Sequence, residues 1–152
     1  MGTYLNPGKS GFASVVKSDY VDKTGLTQLI NRTIGRTNSL TCVSRPRRFG
    51  KSYAAQMLCA YYDKTCDSRA LFSGCEVSQD ASFEEHLNKY DVIYPGMTSV
   101  IGETSADDIV EYVKRNVVNE ICEQYGGVRA EEGFVPTLVN LVAHTNTLRP
   151  HT

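Results

Sequence analysis

With 16 lysines and arginines against 17 aspartates and glutamates in 152 residues, the chain has a net charge of −1, which leaves no overall field to draw it onto nucleic acid or an anionic membrane. A hydrophobic fraction of 41% and a charged fraction of 22% are ordinary for a globular protein and exclude a disordered tail, a fibrous repeat or a small disulfide-stapled scaffold. No apolar run approaches the roughly 20 residues needed to cross a bilayer, and residues 1–11 are polar and unlike a secretory signal, so a cytoplasmic protein with no membrane association is expected.

The length suits one compact domain, expected over residues 1–144, with residues 145–152 as a loose tail. Turn residues around Pro7 and Gly8 predict a surface loop, followed by a short helical turn over residues 11–16. Residues 20–24 read as a brief extended element. A helix is predicted from Lys23 to about Ile34, burying Leu26, Leu29, Ile30 and Ile34 and stopping at Gly35. Residues 39–44, with Thr41 and Val43, are written as a strand, and an Ala-rich helix is predicted over residues 52–62. Short helices are expected over residues 68–72 and 82–88, and a second strand over residues 90–94, ended by Pro95 and Gly96. The clearest helix has Ser105 as its N-cap, Asp107 and Asp108 in the first turn, Ile109, Val110, Val113, Val117 and Ile121 on one buried face, and Gly126 and Gly127 as its stop. A last helix spans residues 134–144.

The five cysteines, Cys42, Cys59, Cys66, Cys75 and Cys122, contain no Cys-x-x-Cys pair and encode neither a disulfide framework nor a zinc site. Each cysteine is expected as a buried or half-buried small apolar residue, and if thiols are exposed they should be Cys66 and Cys75, which lie in the more polar surroundings. His86, His144 and His151 are scattered and read as surface residues, which leaves a metal or thiol enzyme without support.

One motif carries chemistry. A phosphate cradle needs backbone N–H groups pointing inward, a lysine reaching the β and γ phosphates, and a hydroxyl for magnesium, all at a helix N-terminus. Gly50, Lys51 and Ser52 supply the end of that design, between the predicted strand and the Ala-rich helix. The first glycine of the usual Walker A pattern is replaced by Arg45, and Pro46 removes a donor from the loop. A basic surface turn capped by Ser52 is the other reading of the same residues.

The strings Tyr20-Val21-Asp22-Lys23-Thr24, Arg45-Pro46-Arg47-Arg48-Phe49-Gly50-Lys51-Ser52, Tyr61-Tyr62-Asp63 and Tyr90-Asp91-Val92-Ile93 resemble the N-terminal segment of the AAA-ATPase-like proteins of gut bacteria, over roughly residues 4–140. In that family the eight-residue string ending in Ser52 is itself the phosphate loop. The resemblance implies an α/β fold of P-loop NTPase type, a parallel sheet core with flanking helices, here lacking its C-terminal strands. It also implies ATP and magnesium as ligands. Lys51 would bind the β and γ phosphates, Ser52 would ligate the metal, Gly50 would admit the phosphates to the backbone, and Arg47 and Arg48 would add charge. Asp22 and Lys23 would lie near the nucleotide; before a helix, a solvent-facing ion pair reads equally well.

Hydrolysis needs a strand ending in an acid that holds magnesium and orients water. The run 90–94 ends in Pro95, and the run 138–142 ends in Ala143 and His144, so neither supplies it. The expected function is a nucleotide-binding fragment without turnover. The alternative is a stand-alone module that inhibits another macromolecule, for example a phage or mobile-element inhibitor of a CRISPR-type host defence nuclease. An incomplete sheet would be covered by self-association or by a protein partner. A nucleic-acid patch made of Arg45, Arg47, Arg48 and Lys51 is weaker, because four charges in one loop neutralise few phosphates.

Overall fold

The computed structural model describes residues 3–18, 20–96, 105, 108–126 and 134–147. Its helices in chain order are α1 (Ser10–Val16), α2 (Gly25–Asn31), α3 (Lys51–Tyr62), α4 (Arg69–Phe72), α5 (Phe83–His86), α6 (Ile109–Gln124) and α7 (Phe134–Thr147), with a 3₁₀ turn at Glu76–Gln79. The chain divides into two compact units, one formed by Asn6–Val92 and the other by Gly2–Leu5 with Ile93–Thr152.

The expected parallel sheet is not formed. Among the described residues the only strand-like pairings are two isolated bridges, Leu5 with Ile93 and Asp63 with Tyr90. Residues 39–44 are exposed throughout, and Leu40 keeps 98% of its surface open. Strand propensity measures how well a side chain fits a pleated, half-buried surface. Thr41 and Val43 have that propensity, but no described neighbouring strand supplies the surface or the main-chain partners. Without a sheet, the notion of missing C-terminal strands also lapses.

Helices build the core of the first unit. Helix α1 packs on α3, and Phe12, Met57, Ala60, Tyr61, Phe72 and Val77 are fully buried. Phe12 stacks on Phe72 with ring centroids 5.1 Å apart, and Tyr20 meets the edge of Phe12 at 5.4 Å. Burying each large side chain contributes about 1.5–3 kcal/mol.

Helix α2 ends at Asn31, not Ile34. The Thr33 hydroxyl donates to the Ile30 carbonyl at 2.8 Å, competing with helix continuation, and Gly35 follows with φ +74. The buried face of α2 is polar. It carries Thr27 and Asn31, while Leu29 is exposed. Asn31 is satisfied there, donating to Ser82 Oγ at 2.8 Å and accepting from the Tyr62 hydroxyl at 2.6 Å, whereas the buried Thr27 hydroxyl has no hydrogen-bond partner among the described residues. A hydrophobic pattern alone misses the Asn31 contact, since hydrogen bonding makes a buried amide tolerable.

Asp63, fully buried, ties down the end of α3. One carboxylate oxygen accepts Gly8 N at 2.6 Å, and the other accepts the Thr65 amide and hydroxyl at 2.8 and 2.7 Å. Asn88, left-handed at φ 55, donates to the Asp63 carbonyl at 2.8 Å.

In the second unit α6 packs on α7, burying Val117, Ile121 and Leu141 with Tyr4 and Leu5. Val113 packs against this cluster, whereas Val110 is exposed. The cap of α6 is Asp108, and Ser105 donates to the Asp108 carboxylate at 2.7 Å instead of capping the helix. The Glu120 carboxylate accepts the Tyr4 and Leu5 amides at 2.9 and 3.2 Å. Thr145–Thr147, expected in the loose tail, belong to α7, and residues 148–152 lie outside the described residues. Gly127, His151 and most of the expected lead-in to α6 lie outside them as well. No described helix is long and apolar enough to cross a membrane.

Candidate functional site

Helix α3 begins where the basic loop ends. Its cap is Gly50, left-handed at φ 73, and no side chain caps the helix. The first bond of the helix runs from Ala54 N to Gly50 O at 2.9 Å, so the amides of Lys51, Ser52 and Tyr53 lie ahead of the ladder, at the positive end of the helix dipole. Arg48 is also left-handed, at φ 67. Turns of this hand direct successive N–H groups inward and make anion-binding concavities.

Lys51 folds back over the loop, donating to the carbonyls of Arg45 at 2.6 Å and Pro46 at 3.0 Å. An ammonium has three donors, so two hold the loop and one remains. Arg47, Arg48, Gly50, Lys51, Ser52 and Tyr53 line a concavity of about 510 Å³. Neither Lys51 nor any of Arg45, Arg47 and Arg48 has an ion-pair partner among the described residues, which leaves the loop's positive charge uncompensated.

Five of the six residues singled out from the sequence therefore meet in one concavity. Arg45 enters through its main-chain carbonyl. Asp22 and Lys23 do not form an ion pair. The Lys23 ammonium donates to the Phe49 carbonyl at 2.9 Å and lies against the bare Cα of Gly50, where an added Cβ would come within 2.7 Å of it. Asp22 faces the other way, accepting the amides of Glu76 and Thr24 at 2.8 Å each. Burial would raise its pKa, but those amides, with the Thr24 and Tyr20 hydroxyls, outweigh burial and hold the carboxyl below its usual value.

Phe49 and Tyr53, both exposed beside the loop, were not singled out from the sequence. Their signal was their position, one residue on either side of Gly-Lys-Ser. Cys59, Cys66, Cys75 and Cys122 are buried or half-buried as expected, but the exposed thiol is Cys42, not Cys66 or Cys75, whose thiols donate to the Asp63 and Leu71 carbonyls. His86, expected at the surface, is buried with Nδ1 2.6 Å from the Tyr90 hydroxyl. Among the described residues no three His, Cys, Asp or Glu side chains gather as a metal site.

The chain matches the AAA-ATPase-like family, described as Predicted AAA-ATPase, over residues 8–147, and it belongs to that family. No curated protein and no solved structure matches it.

Proposed function

We propose that residues 45–52 bind the triphosphate of ATP. The observation that carries this reading is the Lys51 ammonium, held by the Arg45 and Pro46 carbonyls at the start of α3 inside a cationic concavity. Its remaining donor would meet the β and γ phosphates. The uncapped amides of α3 would receive a phosphate oxygen along the helix dipole, and Arg47 and Arg48 would add charge-assisted bonds. Gly50, with no Cβ, leaves the backbone open to the phosphates.

Magnesium fits the same place. Ser52 is exposed in the first turn of α3, and its hydroxyl has no bond within the described residues. Magnesium keeps several waters and takes few protein ligands beside phosphate oxygens, so one hydroxyl suffices. Bound there, it would neutralise phosphate charge. The reading is confined to binding, because hydrolysis needs an acid that orients water and the residues lining this concavity supply cations, a hydroxyl and a phenol.

Calorimetric titration with magnesium-ATP tests the reading. Wild type should bind, and Lys51→Ala should weaken binding at least tenfold, the factor of about 1.4 kcal/mol, with an unchanged melting transition because Lys51 is exposed. Equal binding by both proteins would refute it. The alternative, a module that inhibits another macromolecule, draws support from the uncovered Leu40 and Val43; an inhibitory activity that survives Lys51→Ala would favour it.

A further inference from the structure

A second concavity, of about 320 Å³, adjoins the first and shares Arg48, Gly50 and Tyr53 with it. We infer that it receives the base and ribose of the nucleotide whose phosphates lie in the first, an assignment that rests on the loop being a phosphate site. The two concavities have a similar balance of polar and apolar surface and differ in the side chains particular to each. The first is lined by Arg47, Lys51 and Ser52, whereas Tyr20, Val21 and Phe49 are among the residues particular to the second. A nucleoside triphosphate has the matching division, anionic at one end and a flat, largely apolar ring at the other.

Exposure supports the match. Val21 is 71% exposed, Phe49 61% and Tyr53 54%, so three large side chains face water around one small concavity. Scattered apolar residues on a surface need no explanation, but a cluster rimmed by cations is what a ligand would cover. Its volume lies at the low end of the range for ligand pockets, about 300–1,000 Å³. Aromatic side chains stack on bases of any sequence because each base presents a π face.

Lys23 lines the second concavity, and its ammonium is held by the Phe49 carbonyl at 2.9 Å beside Gly50, which lines both. That bond uses one of three donors, leaving the others for ribose hydroxyls or the α phosphate. Tyr20, another lining residue, packs edge-on against Phe12 at 5.4 Å, and its hydroxyl donates to Met57 Sδ at 3.6 Å.

The test compares magnesium-ATP with magnesium-tripolyphosphate, which has the same phosphates and no base, on wild type, Phe49→Ala, Val21→Ser and Lys51→Ala. Both pocket positions are exposed, and the Phe49 carbonyl that holds Lys23 survives its substitution. Wild type should bind ATP at least about tenfold tighter than tripolyphosphate, since stacking on one aromatic is worth that much. Phe49→Ala and Val21→Ser, neither of which adds a charge beside the phosphates, should each narrow the difference while tripolyphosphate affinity stays within about twofold. Equal affinity for both ligands on wild type, or equal loss of both in the two pocket variants, would overturn the base pocket and leave the phosphate loop standing. If tripolyphosphate and ATP both fail to bind wild type, or bind Lys51→Ala undiminished, the phosphate reading itself falls and the base pocket with it.

Discussion

The five thiols sort by their surroundings. Cys59 lies inside the first core, where burial, reinforced by the Asp63 charge, pushes its thiol up to about 12; Cys42 is exposed in the basic loop's approach. Because the thiolate is the reacting form, a native-state titration with a thiol reagent at pH 8 should modify Cys42 first and Cys59 only on unfolding, as mass spectrometry of timed samples would record. Prompt labelling of Cys59 would contradict the packing around Tyr61. At this scale the sequence was legible where local chemistry decides, as in Gly50, Lys51 and Ser52. It was illegible where packing by other elements decides. His86 is buried and Cys66 and Cys75 are half-buried, although their hydrogen-bond partners, Tyr90, Asp63 and Leu71, lie only three or four residues away. Coverage by the rest of the fold leaves no mark in composition.

Helices were legible and strands were not, for one reason. The Ala-rich run of α3 and the spaced apolar residues of α6 satisfy their main chains within the segment, so the local pattern suffices. Residues 39–44 need a partner strand, and local β propensity cannot supply one. The junction of loop and α3 depends on a different local feature, the left-handed Gly50. Gly50→Ala would place a Cβ at φ 73, 2.7 Å from Lys23 Nζ. A left-handed alanine costs about 1–2 kcal/mol, so urea denaturation should register at least that loss, and magnesium-ATP binding should weaken with it. Adding Lys23→Ala should relieve only the crowding and leave the backbone cost. An unchanged stability in Gly50→Ala would mean that the loop is not held in this conformation.

The described residues form two compact units built of helices, each with its own apolar cluster. Of the residues expected as strands, 39–44 enter no bridge, and in 90–94 only Tyr90 and Ile93 do, paired singly with Asp63 and Leu5. Family membership was legible because the resemblance was read from strings inside residues 8–147, the stretch that the family matches, while the architecture was not, because pairing between distant segments is not written in any one of them. What the family match and the loop geometry share is the stretch from Arg45 to Tyr53, and the account stands or falls there. The most direct measurement is the set of backbone amide resonances followed by NMR as magnesium-ATP is added. The largest shifts should fall on Gly50, Lys51, Ser52 and Tyr53, whose N–H groups lead into α3, with smaller ones at Lys23 and Phe49. Shifts confined to α6 and α7, or none at saturating nucleotide, would contradict the account.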